Sequence, residues 1–122
     1  VGWFESDAQK EYVPYVRPQE HGNHGDARAL RIGRLCFEGE PAFEFCVSPY
    51  SAAMLTRAEH TDELRTDGST HVRVDYRVSG LGSNSCGPEL PKKFRVQEKS
   101  IAFAFHLHPL KDKGSPGGME GV

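Results

Sequence analysis

Apolar and polar residues alternate strictly from His71 to Val78, with Val72, Val74, Tyr76 and Val78 on one face and His71, Arg73, Asp75 and Arg77 on the other. A period of two is that of a strand, so the segment is predicted as a half-buried antiparallel strand. The pattern returns from Ser100 to His108, where Ile101, Phe103, Phe105 and Leu107 oppose Ala102, Ala104, His106 and His108. The small alanines predict that this second face is covered as well. Phe43, Phe45 and Val47 alternate with Glu44, Cys46 and Ser48, and the break Glu38-Gly39-Glu40-Pro41 predicts a hairpin with the apolar stretch Leu30 to Phe37. Across Gly33 the apolar phase shifts between Ile32 and Leu35, as a β-bulge would produce. One short helix of about two turns is expected, with Ser48 as N-cap, Pro49 at its first position and Ala52, Ala53, Met54 and Leu55 in its body. Loops are expected at Pro18 to Asp26, Thr66 to Ser69 and Gly80 to Pro88, the last too long for a simple hairpin turn.

Composition narrows function more than fold. A chain of 122 residues is one unit, ordered over 1–110, with a Gly- and Pro-rich tail over 111–122 that has little to bury and is expected to be disordered. No apolar run reaches the roughly 18 residues of a spanning helix, so no membrane is expected as a partner. Fifteen basic against seventeen acidic residues, with no Lys/Arg stripe, argue against nucleic acid. Three cysteines, Cys36, Cys46 and Cys86, are too few and odd in number for a disulfide framework and point to a reducing, cytoplasmic compartment. Because the chain opens at Val1 without an initiator Met, it is expected to be a trimmed product or a piece of something longer.

Candidate chemistry is sparse. His21 and His24, with His60 or Asp26 as remote helpers, lack the paired spacing of a zinc motif and read as solvated loop residues. His106 and His108 project from one strand face and read as hydrogen-bonded or surface side chains. A nucleophilic role for Cys86 would need a His and an orienting partner. Glycoside hydrolysis needs two carboxyl groups about 5–9 Å apart. Glu20, Asp26, Glu59, Asp62, Glu63 and Asp75 are instead scattered over loops and an exposed strand face. No catalytic residue, metal ligand or cofactor is assigned to this chain, and with Trp3 as its one tryptophan it offers little aromatic platform for a sugar.

The blocks YVPYVRPQEHGNHGDAR at Tyr12 to Arg28, FCVSPYS at Phe45 to Ser51, Leu55 with Ala58, His60 and Glu63-Leu64, Val74-Asp75-Tyr76, and GLGSNSCGPEL at Gly80 to Leu90 occur in that order. In order and spacing they resemble the C-terminal domain of the large bacterial β-galactosidases of glycoside hydrolase family 2, from about Val13 to Pro109. The resemblance implies an all-β fold: an antiparallel β-sandwich, the later half of a galactose-mutarotase-like supersandwich, with one short helix. It also implies that the chain is part of a β-galactosidase acting on terminal β-D-galactosides such as lactose. The retaining pair of glutamates, with magnesium and sodium nearby, would lie on a (β/α)₈ barrel outside this chain, which alone is expected to be inactive. Expected partners are the remainder of the enzyme, on the same polypeptide or as a large subunit, the galactoside substrate, and further copies in an oligomeric complete enzyme.

The same resemblance assigns a rim role to Gly80 to Pro88, with Asn84, Ser85 and Cys86 as the expected substrate-binding residues. Where some family members carry a Trp that stacks on substrate, this chain carries Cys86, a small soft side chain, so a wider and less adhesive site is expected. Arg17, Glu20, Asp26 and Arg28 are expected to be architectural, because Arg and carboxylate can pin a loop through paired hydrogen bonds. A reading of another class is a free-standing, non-catalytic β-sandwich module that binds carbohydrate or a protein partner. Low tryptophan content and the unpaired edges of a halved sandwich weigh against it.

Overall fold

The alternating segments assemble into one antiparallel sheet in the computed structural model, which describes residues 2–14, 17–79, 91–111 and 119–121. The strands are β1 (Phe4–Ser6), β2 (His24–Ile32), β3 (Leu35–Ser48), β4 (His71–Asp75), β5 (Ala104–Pro109) and β6 (Met119–Gly121). This is the expected all-β, antiparallel architecture. Its spine is β3, fourteen residues long. One edge of β3 pairs with β2, while the other pairs first with β5, from Leu35↔Pro109 to Glu40↔Ala104, and then with β4, from Glu44↔Asp75 to Ser48↔His71.

The β2–β3 hairpin turns at Gly33-Arg34, not at Glu38 to Pro41, since Ile32 and Leu35 are already ladder partners. Gly33 has φ +55°, the left-handed backbone that the first position of a two-residue hairpin turn requires. The phase shift read as a bulge is thus the turn itself. Glu38 to Pro41 stays inside β3 and forms the irregularity: Ala29 pairs with Glu38 and Ala27 with Phe43, so several β3 residues stand against Arg28 alone. Glycine is needed there, because a Cβ on Gly39 would lie 2.5 Å from Cδ1 of Phe43.

One sheet face carries the core. Leu30, Phe43, Phe45, Val47 and Ala27 are buried, with Ile32, Phe37, Val74, Phe103 and Ala8 packed around them. Burying a side chain of this size stabilises by about 1.5–3 kcal/mol. Toward β5 the same face opens: Leu35, Phe105 and Leu107 remain 40–54% exposed. The opposite face of β5, expected to be covered, exposes Ala104 and His106 and is lined with His–carboxylate pairs.

Two short α-helices flank the sheet where one was expected. In α1 (Ala8–Glu11) the Asp7 carboxylate accepts from Gln9 N and Lys10 N, both at 3.0 Å. In α2 (Ala52–Arg57) the N-cap is Ser51, whose Oγ accepts from Met54 N at 3.2 Å, while Ser48 Oγ accepts from Tyr50 N in the turn before it. Leu55, Ala58 and Leu64 form a second small core with Tyr12 and Tyr50. The alternation continues past Asp75, yet β4 ends there, because the Val78 N–H turns to the Glu44 carboxylate. Within the tail expected to be disordered, Met119–Gly121 forms β6, whose backbone pairs with both β1 and β2. Such a ladder needs no apolar side chain, only the hydrogen-bonding groups that an open sheet edge presents.

Candidate functional site

The polar residues that alternate with the core strands gather on the other face of β3 and β4, where Cys46 is the ladder partner of Arg73 and Glu44 of Asp75. Arg73 is the hub. Its Nε donates to Asp75 Oδ2 at 2.7 Å, its NH1 to Glu20 Oε1 at 2.7 Å and its NH2 to Asn23 Oδ1 at 3.5 Å. Burial works to lower the Arg73 pKa, but the Asp75 and Glu20 carboxylates outweigh it and raise it, so the guanidinium stays charged. Asn23 in turn donates to Glu44 Oε2 at 2.8 Å, and the same oxygen accepts from Val78 N at 2.8 Å. The chain from Glu20 to Val78 thereby ties the segment before β2 to the residues that precede Gly80. Beyond the expected Gly80 to Pro88 loop, Val96 N donates to Ser79 Oγ at 3.0 Å. Val78, before the loop, and Val96, after it, are therefore both held by side-chain acceptors.

Beside the network lies a cleft of about 270 Å³ whose lining includes Glu20, His21, Cys46, Tyr50, His71 and Arg73. Cys46 Sγ donates to the His21 carbonyl at 3.1 Å, and burial pushes the thiol pKa up despite Arg73, which keeps the donor protonated. His21 Nε2 accepts from Val13 N at 3.3 Å, and burial lowers the ring's pKa. His24 Nε2 meets Glu11 Oε2 at 2.6 Å. Burial would raise the Glu11 carboxyl, but hydrogen bonds from Ser6 and His24 prevail and hold it below the usual range.

These histidines are structural acceptors and partners, and His21 sets a pH dependence. Unfolded His21 takes up a proton near its ordinary value of 6.5, whereas the folded ring resists it. The unfolded state then binds more protons, and stability falls as pH drops through 6.5 toward the lower folded value. Melting temperature measured between pH 8 and pH 5.5 is expected to decline in step, and His21→Gln to flatten the decline. An unchanged slope in the variant would assign the dependence elsewhere.

Of the residues expected to be architectural, Glu20 is held by Arg73, 53 positions away, and not by Arg17. The side chains of Arg17 and Arg28 are exposed and make no hydrogen bond or ion pair among the described residues. Asp26 has φ +53° at the β2 bulge, a left-handed position that its short polar side chain tolerates. The expected substrate residues Asn84, Ser85 and Cys86 lie outside the described residues. A grouping that sequence spacing does not reveal lies on the polar face of β3 and β5: one ligand atom each from Cys36, Glu38 and His108, all within 4.8 Å of one another.

Comparison with known proteins gives a consistent answer. A family model described as beta galactosidase small chain matches residues 1–107. The chain is 35% identical over 107 residues to a beta-galactosidase of Actinobacillus pleuropneumoniae, covering 88% of this chain and 11% of that protein. It is 37% identical over 97 residues to a beta-galactosidase of Staphylococcus xylosus, covering 76% and 10%, and 34% identical over 107 residues to one of Pseudoalteromonas haloplanktis, covering 87% and 10%. The chain thus spans about a tenth of the length of these relatives.

Proposed function

Because the chain belongs to the beta galactosidase small-chain family, we propose that it works as one part of a complete β-galactosidase that hydrolyses terminal β-D-galactose residues, lactose among them. The observation that carries this reading is the family match over residues 1–107. In the assembled enzyme the chain supplies scaffold and the loop at the rim of the pocket, while two glutamates on the remainder carry the retaining reaction. The magnesium and sodium of the complete enzyme belong to that remainder, and no residue of this chain is assigned to them. The partly exposed apolar face around Leu35, Phe105 and Leu107 fits a chain that packs against more protein. A cytoplasmic, oligomeric enzyme completes the proposal.

Within that enzyme, this chain's residues bind and orient. Glu44 and Ser79 hold Val78 and Val96 on either side of the loop whose Asn84, Ser85 and Cys86 we assign to substrate. Hydrolysis of lactose and of aryl β-D-galactosides by the complete protein tests the reading. Release of galactose is expected, and a complete protein that binds galactosides without cleaving them would overturn it. Cys86→Trp then tests the loop: a stacking face is worth about 0.5–1.5 kcal/mol, or roughly two- to tenfold in KM for aryl galactosides, with kcat changed little. Equal KM values across several aglycones would remove Cys86 from the site.

A further inference from the structure

We propose that Cys36, Glu38 and His108 form a binding site for one thiophilic divalent transition-metal ion, with zinc as the expected occupant. The site goes beyond the galactosidase reading and does not depend on it. Its geometry follows from the ladder. Cys36 and His108 are direct partners across β3 and β5, and Glu38 lies two residues along β3, so all three side chains leave the sheet on the same face. Direct cross-strand partners sit about 4.5–5.5 Å apart at Cβ, close enough for both side chains to reach a common ion. Their ligand atoms, a thiol sulfur, a carboxylate oxygen and an imidazole nitrogen, all fall within 4.8 Å of one another.

Spacing and chemistry both suit zinc. Bonds of about 2.0–2.3 Å from a tetrahedral zinc place neighbouring ligand atoms roughly 3.3–3.6 Å apart. His108 Nε2 and Glu38 Oε2 are already 3.4 Å apart. That contact alone is an ordinary exposed ion pair; the third group is what changes it. Cys36 is 6% exposed, not in a disulfide, and brings sulfur to the floor beneath the pair. Thiolate with imidazole and carboxylate is a borderline-soft set that favours zinc over magnesium or calcium. On binding, the thiol proton is released to solvent, and the two negative ligands balance the ion's double positive charge. The fourth position faces water, because His108 and Glu38 keep 45% and 55% of their side-chain surface exposed.

Neighbouring charges on this face are Arg31, the β2 partner of Cys36, and the next rung of the ladder, where His106 Nε2 meets Glu40 Oε2 at 3.0 Å. Arg31 opposes a cation but favours the thiolate that would bind it. The His106–Glu40 pair occupies the alternative ligands with each other, which leaves Glu38 to His108.

The test uses the complete protein that contains this chain, stripped with a chelator and reloaded with zinc or cobalt chloride. Expected results are one more zinc equivalent per chain in the parent than in Cys36→Ser or His108→Gln, and a thiolate-to-cobalt charge-transfer band lost in both. His108 is half-exposed, so that variant keeps the fold if Cys36→Ser does not. Equal zinc content in parent and both variants, or no cobalt band in the parent, would overturn the site. Loss in Cys36→Ser with full retention in His108→Gln would do so too, since it marks binding by the thiol alone.

Discussion

Replacing Phe45 by alanine is expected to cost about 3–5 kcal/mol, the loss seen when a large aromatic leaves a cavity in a packed core. Phe45 is 1% exposed and sits among Ala27, Leu30, Phe43 and Val47. Its position multiplies the effect. Its backbone pairs with His24 of β2 and Val74 of β4, so the side chain stands where three strands meet. The ring stacks on His24 with centroids 4.8 Å apart, and His24 in turn holds Glu11 of α1 at 2.6 Å. Removing the ring therefore loosens the N-terminal helix as well as the sheet. Amide exchange across β2, β3 and β4 under increasing urea measures the loss locally, even inside a large enzyme. Phe45→Leu should recover much of it. A loss below about 1 kcal/mol for Phe45→Ala would mean that the surrounding side chains collapse into the space and that Phe45 is not the keystone described.

Strand content was legible because β4 and much of β3 alternate cleanly, and alternation reports one thing, a face in contact with a core. Turn placement was not. Glu38-Gly39-Glu40-Pro41 carries the residues that usually break strands, but here they mark a bulge in which Gly39 lets the backbone approach Phe43. The true turn at Gly33-Arg34 shows only as a change of phase, which a bulge would mimic. Short elements such as β1, β6 and α1 leave almost no periodic trace in three or four residues. The site is harder still, because its links span the chain. Arg73 reaches Glu20 across 53 positions, and Cys36 reaches His108 only once β5 is laid against β3 in its observed register. Sequence spacing could pair Glu20 with Arg17, three residues away. It could not see that Arg73 and Glu20 face each other across a fold.

Glu44 is the clearest positioning residue in that arrangement, and Glu44→Ala is expected to raise KM for galactosides about five- to tenfold in the complete enzyme while kcat changes less than twofold. One carboxylate oxygen accepts from both Asn23 Nδ2 and Val78 N at 2.8 Å. Hydrogen bonds to a charged acceptor contribute about 1.5–3 kcal/mol each, and tenfold in KM corresponds to about 1.4 kcal/mol. Loss of these two bonds alone therefore covers the expected change. Because Glu44 holds Val78, just before the loop assigned to substrate in the proposal, its removal should weaken substrate binding more than it slows the chemical step. Glu44→Gln is the control, since its amide carbonyl can still accept from Val78 N and should restore most of the affinity. A merely destabilised enzyme would behave differently: fewer molecules would be active, apparent kcat would fall, and KM would hold. That outcome, or a KM unmoved by Glu44→Ala, would detach the polar network from the loop and leave it as a clamp on the segment before β2.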